Sequence, residues 1–399
     1  MTGDADTLAW LADGARAQES DAVLGELCER LTAAGLPLSR VAVFVRTLNP
    51  NNIGRRFIWR PGEPVDIQNG EFDLLQSDEY LDNPIAIVQR DGRPIRRRLV
   101  DPNCPMDYPV LAEFKAAGVT DYLASPLICT DGLVHVATWN TTCAEGFSEG
   151  DIRTLESVVP LLARVAEIRA LRRTVVTQLD TYVGHQSGER ILAGQIRRGD
   201  TESIRAVIWL SDLRGFTALT DRLPGPTVIA VLNRYFDCQI PTILARGGEV
   251  LKLMGDGLLA IFPVADCTAE ARVCAAALEA AREVRAQVAA LKDPVGDGSL
   301  ERLRFGLALH LGELLYGNIG GGNRLDFTSI GPAVNLAARL EALCGALDRD
   351  VIASAEFARH CPGGLAPLGE FAFKGFAQRS NVFGLPGAEG EAAPIIATG

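Results

Sequence analysis

The sequence predicts an α+β protein of two domains joined by a helix, and three observations carry that expectation. The chain has 399 residues, more than one ordinary domain holds. The first half reads helix, strands, closing helix, and the second reads strand, helix, hairpin, then strands and a helix again. Between the halves Val165, Ile168, Leu171, Val175, Leu179 and Tyr182 recur at three- and four-residue steps. That stripe suits a packed or coiled-coil connector, or equally a helix lying on its own domain.

Taken in order, residues 1–35 carry helical periodicity, with Leu8, Leu11, Leu24, Leu27 and Leu31 among polar residues. "RVAVFVRTL" (40–48) reads as a strand, and 49–120, rich in Pro, Asn, Asp and Gly, as mostly loop. "DYLASPLICTDGLVHVATWN" (121–140) is two strands about a "TDG" turn, and Ser148 caps a long helix over 147–176. The arginines of "RDGRPIRRRLV" (90–100) fit a solvated strand or loop better than an anion site. This divides the chain into an N-terminal domain over 1–170, a helical connector over 150–199, a second domain over 200–385 and a loose tail over 386–399.

Composition narrows the function. Apolar residues make up 47% of the chain and the net charge is −11, which supports sizeable cores and argues against a nucleic-acid partner. No run approaches 18 apolar residues and the start lacks a signal-peptide pattern, so the expectation is a soluble, cytoplasmic protein without membrane insertion. Nine cysteines include no C-x-x-C pair; Cys238, Cys267, Cys274 and Cys344 fall in apolar helical stretches and read as small core residues. His135, His185, His310 and His360 make no metal spacing, and His310 in "FGLALHLGELL" reads as strand packing.

The second half holds the chemistry. "AVIWLSDLRGFTAL" (206–219) is an apolar strand ending in Asp212, a carboxylate that either caps the next helix or holds a metal. The amides after it, in the segment containing Phe216 and Thr217, can meet a phosphate where the loop enters a helix. "GGEVLKLMGDGLLAIFPV" (247–264) is a hairpin with Asp256 at its tip, and Lys252 in its first strand either snorkels or reads a ligand. A helix over 226–246 separates the two pieces. In a split, ferredoxin-like βαββαβ arrangement the first strand's end lies beside the hairpin tip. Two carboxylates there repel unless cations bridge them. "RLDFTSIGPAVNLAARLEAL" (324–343) then runs from a strand into a helix, with Asn335 and Arg339 one turn apart on one face. They can grip a phosphate and a ribose, or Arg339 can simply pair with a carboxylate such as Glu341. "GNIGGGN" (317–323) lacks the GK[ST] of a phosphate loop and reads as a hairpin tip.

"SPLICTDGLVHVATWN" with "FSEGDIRTLESV" resembles a GAF-type sensor domain over roughly residues 20–170, although "HVATW" stands where such domains often carry a glycine. It implies a regulatory domain with an unknown effector. More specifically, "SDLRGFT", "EVLKLMGDGLLAIF", "RLDFTSIGPAVNLAARLEAL" and "EFAFKGFAQRSNVFGL" (370–385), in this order, resemble the class III nucleotidyl cyclase catalytic domain over 200–385. By that likeness Asp212 and Asp256 match the two metal-binding aspartates, for two Mg²⁺ or Mn²⁺. Lys252 and Thr328 match the purine-reading pair of the Lys/Thr subgroup, and Asn335 and Arg339 the transition-state pair. Lys374 matches a phosphate contact. The resemblance implies an adenylyl cyclase making 3′,5′-cyclic AMP from ATP at the interface of a head-to-tail homodimer. The alternatives are a guanylyl cyclase and a silent nucleotide-binding or dimerisation module.

Overall fold

The computed structural model describes residues 2–13, 19–291, 302–322, 324–375 and 378–386. It divides into two compact units, Met1–Gln178 and Leu179–Gly399. The expected loose tail falls, beyond Pro386, outside the described residues.

In the first unit six strands, β1 (Arg40–Arg46), β2 (Gly54–Trp59), β3 (Asp66–Gly70), β4 (Ile95–Arg97), β5 (Asp121–Ile128) and β6 (Val134–Thr141), form one sheet in the order β3-β2-β1-β6-β5-β4. Helices α1 (Thr2–Asp13), α2 (Ser20–Ala33) and α6 (Glu149–Tyr182) belong to the core on one face, where Leu27, Trp59, Trp139 and Leu155 are buried. A smaller core on the other face takes Val88 and Leu111 from α4 (Pro84–Asp91) and α5 (Pro109–Ala116).

The stretch 49–120 is therefore not mostly loop: it holds β2, β3, β4, α4, α5 and a short α3 (Asp78–Leu81). Its Pro and Asn residues start helices rather than prevent them. Asn83 Oδ1 accepts from the Ile85 amide at 3.1 Å, and Pro84 and Pro109 occupy first-turn positions. The basic cluster is also less solvated than its composition implies. Arg96 pairs with the fully buried Asp121 at 2.7 Å, Arg97 with Asp107 at 2.5 Å, and Arg98 donates to the Glu145 carbonyl at 3.0 Å. Ser148 caps α6 reciprocally with Asp151, at 2.8 and 3.2 Å. From Leu155 to Ala170 the helix packs on its own core, whereas Ile168, Leu171, Val175 and Tyr182 are exposed.

The second unit has β7 (Thr201–Leu213), β8 (Glu249–Met254), β9 (Gly257–Pro263), β10 (Phe305–Gly321), β11 (Arg324–Ile330), β12 (Val351–Ser354), β13 (Ala366–Phe371) and β14 (Ser380–Gly384). Their order is β13-β14-β12-β10-β7-β9-β8, with β11 paired to β10. The run β10-β7-β9-β8 is antiparallel throughout, the split βαββαβ order. Helices α9 (Gly225–Ala245) and α10 (Glu270–Ala290) bury Tyr235, Cys274 and Val284 in one core with Trp209 and Phe262. Helix α11 (Pro332–Ala346) contributes Ala333, Ala337, Leu336 and Leu340 to two further clusters.

The unit opens before the first strand of that sheet. Gly184, with a left-handed φ of 95°, ends α6, and α7 (His185–Leu192) follows. Val183 and Ile191 pack against the cluster holding Leu251 and Tyr316. Glu249, buried on β8, accepts from the Tyr316 hydroxyl at 3.1 Å, and the same hydroxyl bonds the Ser187 hydroxyl of α7. All nine cysteines are free thiols. Cys267 is exposed, not core: it lies in the turn capped by Asp266, ahead of the apolar stripe of α10. His310 is buried, bonded to the Ser354 hydroxyl at 2.8 Å, and burial pulls its pKa down to about 4.

Candidate active site

Asp212 is the last residue but one of β7, and its place follows from the ladders beside it. Ser211 pairs with Leu258 of β9 and Asp212 with Gly306 of β10. The Ser211 hydroxyl donates to Gln239 Oε1 at 2.7 Å, and Trp209 Nε1 to the same oxygen at 3.2 Å, so α9 pins the strand end from below. Asp256 sits in the two-residue turn between Met254 and Gly257, where Gly255 takes a φ of 67°. A Cβ at Gly257 would stand 3.3 Å from Asp212 Oδ1. The two aspartates thus meet, and the charge of Asp256 acts on Asp212.

A third carboxylate faces them. Glu341 on α11 accepts from Arg214 Nη2 at 2.9 Å, and the same nitrogen donates to the Glu341 carbonyl at 2.8 Å. Gly306 makes room for this pair: a Cβ there would fall 2.2 Å from Arg214 and 2.6 Å from Glu341 Oε1. Burial first, then the charges of Asp256 and Glu341, push Asp212 from its ordinary 3.8 up to about 7, against the pull of Arg214. Burial raises Glu341 as well. Glu341 partners Arg214 rather than Arg339, which lies only two residues away and so points off another side of the helix.

Lys252 meets the strand of Thr328 at Asp326. The β8–β9 register shifts between Val250 and Lys252, and this bulge turns the Lys252 side chain. Its ammonium pairs with Asp326 on β11. Asp326 and Thr328 are two residues apart in a strand, hence on one face, while Phe327 between them is buried against Tyr316 at 4.8 Å in an edge-on contact. Lys252, Asp326 and Phe327 line a cavity of about 1090 Å³ together with Val183, Val250 and Leu251.

Asn335 and Arg339 share the exposed side of α11, with Leu336 and Leu340 turned into the core. Among the described residues neither side chain has an ion pair or hydrogen bond, and neither meets the aspartates of its own chain. Phe216 and Thr217 open α8 (Phe216–Arg222) after Gly215, which has a φ of 73°. Phe216 packs on the core and Thr217 is exposed. Lys374 is exposed in the β13–β14 loop, held there by the buried Phe373. Sequence reasoning missed Arg214 and Asp326, and gave Glu341 only as a partner for Arg339. The available signal for Asp326 was its two-residue spacing from Thr328.

Two aspartate carboxylates meeting at a strand end offer oxygen donors of the kind Mg²⁺ or Mn²⁺ takes. The three-donor group of Cys129, Asp131 and Glu167 is elsewhere, in the first unit, where Glu167 already accepts from the Thr130 amide at 2.7 Å. A pH dependence follows from Asp212. Its folded pKa lies above its unfolded one, so the folded state holds the extra proton. That stability is full below about pH 4 and is lost as pH rises through about 7. Metal-free melting temperatures are expected to fall across this window, and Asp212→Asn to flatten the slope; an unchanged slope in the variant would refute the assignment.

No family model matches the chain. A 151-residue stretch, 37% of the chain, is 33% identical to the terminal-differentiation specific adenylate cyclase of Dictyostelium discoideum and covers 7% of it. A match of the same length is 30% identical to the adenylate cyclase of Anabaena cylindrica and covers 29% of that protein. The matched stretch is therefore less than a third of either relative. Among solved structures, the adenylyl cyclase CyaB from P. aeruginosa is 25% identical over 47% of this chain and 97% of its own, with a TM-score of 0.43. The sequence similarity to these adenylate cyclases is thus confined to a stretch of 151 residues in this chain.

Proposed function

We propose that the chain is a soluble, cytoplasmic adenylyl cyclase, converting ATP to 3′,5′-cyclic AMP and pyrophosphate at sites completed by a second copy. The convergence of Asp212 and Asp256 beside Glu341 carries this reading. Asp212 and Asp256 would hold two Mg²⁺ or Mn²⁺ ions, which supply a more acidic ribose 3′-hydroxyl and neutralise the triphosphate. As the 3′-hydroxyl releases its proton to solvent, its oxygen bonds to the α-phosphorus and the bond to pyrophosphate breaks, Arg339 stabilises charge on the α-phosphate and Asn335 orients the ribose. Lys252 donates to adenine N1 and the Thr328 hydroxyl accepts from the N6 amine. The amides at Phe216 and Thr217, with Lys374, hold phosphate oxygens.

The exposure of Asn335 and Arg339, away from their own chain's aspartates, supports a homodimeric site. The N-terminal unit is then the regulatory part, answering to an effector whose chemistry is open. The test is to incubate the purified full chain with ATP or GTP and Mn²⁺ or Mg²⁺ and measure cyclic product. Cyclic AMP from ATP is expected; cyclic GMP alone, or no product, overturns the reading.

A further inference from the structure

The Lys252–Asp326 ion pair joins two strands that share no ladder. β8 is the far edge of the sheet and β11 pairs only with β10 among the described residues. Exposed ion pairs generally contribute little to stability, and both of these side chains are about half exposed. The pair is nevertheless placed by two independent features. The bulge at Val250/Lys252 aims the lysine toward β11, and the strand period puts Asp326 on the same face as Thr328. Both residues of the pair line the large cavity of this unit.

Adenine and guanine offer opposite patterns at their N1 and C6 positions. Adenine has an acceptor at N1 and a donor at N6, while guanine has a donor at N1 and an acceptor at O6. A lysine ammonium on a flexible stem can donate to either acceptor. It therefore discriminates only if something fixes where it stands. Taking the adenylyl cyclase reading as its basis, we infer that Asp326 is a positioning residue for base selection: its carboxylate holds the Lys252 ammonium at the N1 position and keeps it from reaching guanine O6.

The test measures competition binding of the α,β-methylene analogues of ATP and GTP to the full chain with Mn²⁺, alongside turnover of ATP and GTP. Asp326→Ala and Asp326→Asn are expected to lower the ATP-over-GTP binding preference about tenfold, what one hydrogen-bonded position is worth. Asp326→Glu should restore part of it. In a Lys252→Ala background the Asp326 change should have no further effect, since its action runs through the lysine. An unchanged preference in Asp326→Ala and Asp326→Asn, or an equal loss in the Lys252→Ala background, overturns the inference, as does failure of both analogues to bind. Base-selective binding that depends on Asp326, without turnover of either triphosphate, would sink the cyclase reading and leave this inference standing.

Discussion

Arg339→Ala is expected to lower kcat by roughly 30- to 1,000-fold, about 2–4 kcal/mol of transition-state stabilisation, with KM for ATP little changed. Arg339 is asked to meet charge that grows on the α-phosphate as the bond to pyrophosphate lengthens, so its contribution is absent from the bound ground state. Its place on α11 makes the experiment clean, because the side chain is exposed while Leu336 and Leu340 carry the packing. Stability should change by no more than a surface substitution allows, about 0.5 kcal/mol. Arg339→Lys should recover part of the loss, since charge survives but the planar fork does not. A rise in KM equal to the fall in kcat/KM would show instead that Arg339 serves substrate binding.

Mixing two dead chains should restore activity. Asp212→Ala removes a carboxylate from the acidic end of β7, and Asn335→Ala removes the ribose contact from α11. If each site draws the first group from one copy and the second from the other, a heterodimer holds one site with neither lesion and one with both. At equal concentrations and free exchange half the dimers are mixed, so about a quarter of the unmutated activity should return. Each variant alone should retain less than about a hundredth. No recovery after verified subunit exchange would place both groups of a site in the same copy.

The parts of this molecule that could be read from the chain are those set by neighbours in sequence. A buried strand ending in Asp212, a Gly-Asp turn presenting Asp256, and the i,i+4 spacing of Asn335 and Arg339 are local statements, and the antiparallel order of β10, β7, β9 and β8 agrees with the alternation of elements. Asp326 was hidden because its partnership depends on a one-residue bulge at the other end of the sheet. Arg214 and Glu341 are 127 residues apart and meet only because α11 crosses the end of β7. The segment 49–120 misled for a different reason, since Pro and Asn mark a helix start as readily as a loop. Cys267 shows the same limit at a helix entry, where one turn decides between core and solvent.

The contacts of α7 with Tyr316 and the core around Leu251 bear on how this protein can be divided. A truncation beginning at Thr201, where the first sheet strand of the second unit starts, would discard Val183 and Ile191 from a core they help to fill. It would also remove the Ser187 hydroxyl that bonds Tyr316, the buried partner of Glu249. The smallest autonomous piece therefore begins near Leu179, inside a continuous helix. For gene fusion and domain exchange, the natural joint lies not in a loop but within that helix, between Leu171 and Gln178, where no residue is buried in either core.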